Sequence, residues 1–257
     1  MVLLHGWGAS VFMYRDGVAL LPGYGLRVIA VDLRGFGLSD RPFARGAYTL
    51  DAYVADVDAL LDALSLPTAS LAGQSMGGGL ALHYALRRPE RVRRLVLINP
   101  TGLVSAPYLA PLKLPPRPLV RAFGRRLAPR WLFRAVLRHL AYCDTARLTA
   151  RVVDEYWSPS QLTGYVNAAI CTFKEFDWRP VPAESVARLA VPSVVILGTQ
   201  DRLIRNARAS AEKLPGARVY EVSGGHCVHE EQPEQVYAMI GEFLAEGHSV
   251  KSHNDLN

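Results

Sequence analysis

A serine occupies the centre of the pentapeptide Gly73-Gln-Ser75-Met-Gly77, which has the pattern G-x-S-x-G. An apolar run precedes it, and a run with helical character, residues 80–86, follows it. On a sharp turn between a buried strand and a helix, a serine is held in a strained conformation with its hydroxyl above the sheet. A Cβ at either flanking glycine would collide with the neighbouring chain. The pattern alone fits an N-capping serine equally well, so its partners must decide between the two roles.

The partners of such a serine are a base that removes its proton and an acid that orients the base. Among seven histidines, His226 follows the last predicted strand, at the sheet edge where active sites form in open α/β sheets. His229 is the one serious alternative. Asp201 follows another predicted strand and is the candidate acid, although an ordinary turn aspartate would also fit there. We therefore predict Ser75, Asp201 and His226 as the catalytic residues.

The same chemistry needs two N–H donors for an oxyanion, each typically worth about 3 kcal/mol. One donor is the backbone N–H of Met76, directly after the serine. The other is the backbone N–H of Trp7, in the loop that follows the first predicted strand. Glu230 or Glu231 is expected to cap or steady the loop that carries the histidine. The reaction requires no metal ion and no organic cofactor, and we predict neither.

Along the chain, short apolar runs typical of buried strands alternate with segments of helical periodicity. This alternation predicts a doubly wound, mostly parallel α/β sheet. Strands are expected at 2–4, 27–32, 66–72, 93–98, 192–197 and 217–222, and helices at 11–21, 50–64, after Ser75 and at 233–245. The alternation stops between 104 and 186, where helical runs near 119–127 and 130–141 predict an inserted helical cap. The core is then 1–103 with 187–245, and 246–257 is a polar tail expected to be disordered.

Composition excludes several classes of protein. The 257 residues, half of them hydrophobic, suit one large α/β domain, or a domain with one insertion. No run approaches 18 uninterrupted apolar residues, so no transmembrane helix is expected. Three irregularly spaced cysteines indicate neither a disulfide framework nor a zinc site. With no visible signal peptide, we expect a cytoplasmic protein.

The net charge of +6 comes from the predicted cap, where residues 101–187 contain twelve Lys or Arg against six Asp or Glu. The first interpretation is a solvated face or salt bridges to the core. The alternative is weak attraction of the cap to an anionic membrane surface. No nucleic-acid motif accompanies the charge, so we expect no nucleic acid partner. The basic residues are Lys113, Arg117, Arg121, Arg125, Arg126, Arg130, Arg134 and Arg138.

Five motifs in this order resemble the α/β-hydrolase superfamily, in its capped, esterase-like branch. They are His5-Gly-Trp-Gly8, Asp32-Leu-Arg-Gly-Phe-Gly-Leu-Ser39, Gly73-Gln-Ser-Met-Gly77, Gly198-Thr-Gln-Asp201, and Gly225-His226 with Glu231-Gln-Pro233. The chain order serine, aspartate, histidine also matches that family. Its members usually carry two further strands before the first one here, so the resemblance implies a sheet whose N-terminal edge strands are absent. Cys227 stands where the C–C hydrolases of the family often have an aromatic residue.

The resemblance implies a serine hydrolase that forms an acyl-enzyme on Ser75. We expect carboxylic esters of apolar small molecules as substrates, because the cap is rich in apolar side chains, although many of these pack inside the cap itself. They are Leu109, Leu112, Leu114, Phe123, Leu127, Trp131, Leu132, Phe133, Val136, Leu140, Phe173 and Trp178. The alternatives are a C–C bond hydrolase of aromatic ring-cleavage products, a cofactor-free haloperoxidase or acyltransferase, and a ligand-binding member of the fold without catalysis.

Overall fold

The computed structural model describes residues 1–105 and 128–246. At its centre lies a six-stranded sheet in the order β2-β1-β3-β4-β5-β6, with every neighbouring pair parallel. The strands are β1 (Val2–Leu4), β2 (Ile29–Val31), β3 (Ala69–Gln74), β4 (Val92–Ile98), β5 (Ser193–Gly198) and β6 (Arg218–Val222). Helices cover both faces of the sheet, so the predicted fold class is confirmed.

The helices are α1 (Arg15–Leu20), α2 (Leu50–Ala63), α3 (Met76–Arg87), α4 (Arg130–Val136), α5 (Ala150–Trp157), α6 (Tyr165–Glu175), α7 (Ala183–Val186), α8 (Arg208–Ala211), α9 (Val228–Glu231) and α10 (Pro233–Ala245). Short 3-10 helices span Val11–Tyr14, Leu21–Tyr24, Pro89–Arg91 and Ser158–Gln161, and a π-helical turn spans Leu137–Ala141. The expected helix at 11–21 is therefore divided into three short pieces. Gly17 lies in the middle piece, where a Cβ would meet the ring of Tyr237 on α10, so the two helices pack unusually closely.

The strands bury side chains on both faces, as a parallel sheet requires. In β1, Val2 and Leu4 belong to the core cluster beneath α2 and α3, whereas Leu3 belongs to the cluster beneath α10. The same alternation divides Leu95 and Leu97 of β4 from Val96 and Ile98. Because every neighbouring pair of strands is parallel, all six carboxyl ends lie at the same edge of the sheet.

Between β4 and β5, the described residues form helices α4 to α7 and no strand. The domain boundaries at 104 and 186 stay a prediction. The expected helix at 119–127, the basic residues from Lys113 to Arg126 and the tail from residue 247 lie outside the described residues. Arg130 pairs with Asp154 inside the predicted cap, while Arg134 and Arg138 are exposed. Within the described ranges, no helix is long and apolar enough to cross a membrane.

Candidate active site at the carboxyl ends of the strands

Ser75 is the single residue between the end of β3 and the start of α3. Its backbone has φ 53° and ψ −117°, a strained conformation for a residue with a side chain. The Ser75 N–H donates to the carbonyl oxygen of Ile98 at 3.0 Å, and its own carbonyl oxygen accepts from the N–H groups of Gly79 and Thr101 at 2.9 and 3.0 Å. These bonds to β4 and to the first turn of α3 hold the strained turn in place. The Ser75 side chain is only half-buried, as a nucleophile must be.

The two glycines beside Ser75 have the steric role that the sequence predicts. A Cβ at Gly77 would overlap the carbonyl oxygens of Leu4 and His5, at the end of β1. A Cβ at Gly73 would overlap the carbonyl oxygen of Gly77 itself. The turn is therefore tight enough to bring the N-terminus of α3, with its partial positive charge, against the loop that follows β1.

The candidate base and acid are in direct contact. His226 Nδ1 lies 2.7 Å from Asp201 Oδ2, and both side chains are buried. The other carboxylate oxygen, Asp201 Oδ1, accepts from the N–H groups of Leu203 and Ile204 at 2.6 and 2.9 Å. Asp201 is thus held by its own loop and in turn orients the imidazole, leaving Nε2 as the nitrogen available for proton transfer.

Two amide side chains support the histidine from behind, and sequence reasoning missed both. Gln74 Nε2 and Asn99 Nδ2 each donate to the carbonyl oxygen of His226 at 3.0 Å. Asn99 Oδ1 accepts from the Gly198 N–H at 2.8 Å, which links the ends of β4 and β5. Because an amide cannot serve as the anionic acid, Asn99 has no evident catalytic role in the sequence. Its position directly after a buried strand was the signal that could have indicated a supporting role.

Of the two glutamates expected to steady the histidine loop, Glu231 is the one that bonds the loop backbone next to His226. The Gly225 N–H donates to Glu231 Oε1 at 2.7 Å, immediately before His226.

His229 is removed as a candidate base by its surroundings. It is completely buried, and within the described part of the chain neither ring nitrogen has a hydrogen-bond partner. Tyr14 and Tyr237 pack against its ring. Burial lowers the pKa of His229 from 6.5 to about 3, with the positive charge of Arg15 acting in the same direction. A histidine that stays neutral and has no access to solvent cannot exchange protons with a substrate.

Of the two predicted oxyanion donors, Met76 follows Ser75 in sequence and Trp7 belongs to the loop that packs against it. Among the described residues, the backbone N–H groups of Trp7 and Met76 donate to no protein acceptor. A Cβ at Gly6 would lie 3.3 Å from Ser75 Cβ, so the loop that carries Trp7 lies directly against the serine. Trp7 Nε1 donates to the carbonyl oxygen of Ala169 at 3.0 Å and thereby ties this loop to α6. Two unpaired N–H groups beside the serine are the arrangement that an oxyanion hole requires.

One expected contact is not formed. Within the described residues, no hydrogen bond joins Ser75 Oγ to His226. Catalytic hydrogen bonds are often long in free enzymes and tighten when substrate is bound. The base and the acid are thus already paired, and the serine is held at the end of β3, on the same edge of the sheet.

Aromatic rings lie next to the Trp7 loop. Phe173 packs edge-on against Trp7 with ring centroids 5.8 Å apart, and Trp178 contacts both Phe173 and Phe176. Other cap side chains that were expected to supply apolar surface are exposed instead, namely Trp131, Leu132, Val136 and Leu140. Those from Leu109 to Leu127 lie outside the described residues. Among the described residues, no three His, Cys, Asp or Glu side chains are grouped as a metal site would need.

Known proteins resemble this chain over most of its length. A family model described as alpha/beta hydrolase fold matches residues 1–233. The 2-hydroxymuconate semialdehyde hydrolase of Pseudomonas sp. (strain CF600) is 30% identical over 256 residues, which cover 96% of this chain and 87% of that relative.

Two solved structures superpose closely. The meta-cleavage product hydrolase from Pseudomonas fluorescens IP01 has a TM-score of 0.79 at 25% identity, covering 96% of this chain and 90% of its own. The enol-lactonase from Burkholderia xenovorans LB400 has a TM-score of 0.75 at 27% identity, covering 95% and 90%. The range that the family model matches, residues 1–233, includes all six strands, the Ser75 turn and the His226 loop. This chain is a hydrolase that belongs to the α/β-hydrolase fold family.

Proposed function

We propose that this protein hydrolyses carboxylic esters of apolar small molecules through an acyl-enzyme on Ser75. The observation that carries the proposal is the strained Ser75 turn, which packs against the loop that carries Trp7 and shares its sheet edge with the His226–Asp201 pair. A nucleophile, an oriented base and an oxyanion site are the three parts that acyl transfer needs.

The reaction proceeds in two steps. His226 Nε2 takes the proton from Ser75 Oγ as the oxygen attacks the ester carbonyl carbon, and Asp201 stabilises the imidazolium that forms. The N–H groups of Trp7 and Met76 stabilise the oxyanion. His226 then gives the proton to the leaving alcohol. In the second step His226 removes a proton from water, which attacks the acyl-enzyme. The bond to Ser75 Oγ then breaks, His226 returns the proton to this oxygen, and the acid is released.

Apolar acyl or alcohol groups suit the aromatic cluster beside the oxyanion loop. The exposed Trp7 packs edge-on against Phe173, which contacts Trp178, whereas Phe176 is buried in the core behind them. Burying apolar substrate surface against such rings favours binding by about 25 cal/mol per Å².

Weak association with an anionic membrane remains a second, independent proposal for the exposed Arg134 and Arg138.

A second candidate is hydrolysis of a C–C bond next to a carbonyl group. It is favoured by the relative from Pseudomonas sp. named as a 2-hydroxymuconate semialdehyde hydrolase, which matches nearly the whole chain. The same serine, base and oxyanion donors would serve that reaction. Against it stands Cys227, a small buried residue at a position where C–C hydrolases of the family often carry an aromatic side chain.

The test has two stages. Intact-mass analysis after treatment with a fluorophosphonate should give one adduct on the wild type and none on Ser75→Ala. The kcat/KM values for a series of p-nitrophenyl esters are then compared with that for 2-hydroxymuconate semialdehyde. Faster turnover of the esters supports the proposal, and faster C–C cleavage transfers the assignment to the second candidate. A folded wild type without adduct contradicts both.

A further inference from the structure

Two adjacent glutamates follow the candidate base on the short helix α9, and both are almost completely buried. Glu230 is 0% exposed and Glu231 is 1% exposed. A buried carboxylate is costly unless hydrogen bonds replace its lost water. Each of the two must therefore be compensated by specific partners, and in both cases partners come from the predicted cap.

Glu231 accepts three backbone hydrogen bonds that join two segments distant in sequence. On one side, the Gly225 N–H donates to Oε1 at 2.7 Å, next to His226. On the other side, the N–H groups of Cys143 and Asp144 donate to Oε2 at 2.9 and 2.6 Å. Cys143 and Asp144 follow the π-helical turn at the end of the first cap helix described. We call this set of three bonds the Glu231 clamp.

Two further bonds fasten the same cap segment to the catalytic loops. The Cys227 N–H donates to the carbonyl oxygen of Ala141 at 3.0 Å. Arg202 Nη1, beside Asp201, donates to the carbonyl oxygen of His139 at 2.7 Å. The space between the segments is filled, since a Cβ at Gly225 would lie 2.7 Å from the Ala141 oxygen and 3.1 Å from the Cys143 nitrogen. Residues 139–144 therefore cannot move without disturbing the loop that carries the base.

Glu230 makes a different connection. Its carboxylate is paired with Arg15 of α1, and Tyr156 of the cap helix α5 donates to Oε1 at 2.5 Å. These partners are side chains, and none belongs to residues 224–226. Glu230 thus joins cap and core without holding the backbone beside His226, which makes its contacts a matched comparison for those of Glu231.

We propose that Glu231 is a positioning residue for His226. Glu231 holds His226 in its catalytic position only while cap segment 139–144 is docked on the histidine loop. The proposal rests on the proposed function, in which His226 is the base. Glu231 touches no reacting atom and acts through the backbone at Gly225. Movement of cap segment 139–144 away from the histidine loop would therefore displace His226 at the same time.

The test compares Glu231→Gln with Tyr156→Phe in the full-length protein. Glutamine turns one acceptor oxygen of the clamp into an NH₂ group facing N–H donors, so one side of the clamp opens. We expect kcat for a p-nitrophenyl ester to fall at least tenfold while KM changes less than twofold. Tyr156→Phe removes one bond of the Glu230 connection, so we expect a lower Tm with kcat unchanged. Equal kcat in Glu231→Gln and wild type, or equal loss of kcat in both variants, overturns the proposal.

Amide hydrogen exchange on the wild type tests the clamp without any substitution. If the three bonds of the clamp open together, the amides of Gly225, Cys143 and Asp144 should have protection factors that agree within about threefold. Exchange of Gly225 at a rate unrelated to the other two overturns the proposal even where Glu231→Gln does not fold. A wild type that forms no fluorophosphonate adduct contradicts the proposed function instead, and the exchange result still decides whether the clamp exists.

Discussion

Gln74 Nε2 donates to the carbonyl oxygen of His226 at 3.0 Å, so the residue before the nucleophile holds the residue proposed as its base. The bond crosses from the end of β3 to the loop after β6, although β3 and β6 are not neighbours in the sheet. Asn99 bridges the intervening strand ends β4 and β5 by bonding the same carbonyl oxygen and the Gly198 N–H. The distance between nucleophile and base is therefore determined by buried amides and not only by the two loops.

Replacement of Gln74 tests this support. Gln74→Leu removes the donor while keeping a similar volume, and Asn99 still satisfies the His226 carbonyl oxygen. We expect a loss of about 1 kcal/mol in the free energy of unfolding and a fall in kcat of roughly tenfold or less. Steady-state ester hydrolysis and urea unfolding measure the two effects. A change in stability with no change in kcat would show that this bond does not help to place His226.

The bond from His226 Nδ1 to Asp201 predicts a much larger effect. In Asp201→Asn, the amide can donate to Nδ1, which favours the tautomer with its proton on Nε2, where the base must accept one. We expect kcat to fall roughly 10⁴-fold, which is typical when the aspartate of a serine triad becomes asparagine. Asp62→Asn removes an exposed partner of Arg91 and should leave kcat unchanged. Rates of fluorophosphonate labelling report the same difference, and a loss below tenfold argues against Asp201 as the acid.

The elements that position the site were predictable because their signals are local. Strand β4 ends in the apolar run from Leu95 to Ile98, and α10 begins and ends where the sequence places it, at Pro233 and Ala245. Strand β3 was expected at 66–72 but runs from Ala69 to Gln74, because its pairing continues until Gln74 lies opposite Ile98. Its end is determined by a neighbouring strand, which sequence periodicity does not report.

The supporting residues were harder to predict because their partners are distant in sequence. Asn99 and Gln74 bond a residue more than 120 positions away, and Glu231 bonds the segment at 143–144. An amide or carboxyl side chain gives no indication of such a partner until the fold brings the two together. Ser75, by contrast, is marked by Gly73 and Gly77 within its own pentapeptide, a pattern that is visible without knowing any distant partner.

A pair of glycine substitutions tests how tight the nucleophile turn is. Gly77→Ala would place a methyl group on the backbone oxygens of Leu4 and His5, and rigid backbone cannot move aside cheaply. We expect a loss of about 3 kcal/mol or more in the free energy of unfolding, with loss of labelling at Ser75. Gly23→Ala is the control, since nothing lies within 4 Å of the added Cβ. It should be neutral or slightly stabilising by thermal unfolding. Equal effects of the two substitutions would contradict the tight turn.

The lowered pKa of the buried His229 predicts how the free energy of unfolding depends on pH. Its pKa of about 3 in the folded protein lies below its ordinary 6.5, so the unfolded chain binds the extra proton between these values. The free energy of unfolding should therefore fall as the pH drops from about 6.5 toward 3, by up to about 1.4 kcal/mol per pH unit from this group. Burial raises the pKa of Glu230, which contributes with the opposite sign and stabilises most at low pH.

The variant His229→Leu separates the two contributions because it keeps Glu230. Leucine has no titratable group and no unsatisfied nitrogens, so at pH 8 the variant should be as stable as wild type or more stable by about 1 kcal/mol. As the pH falls, its advantage should grow, because only the wild type takes up a proton at this position on unfolding. Urea unfolding at several pH values between 8 and 4 measures the difference. Parallel curves for the two proteins would mean that His229 has a partner in solution, and that its ordinary pKa survives burial.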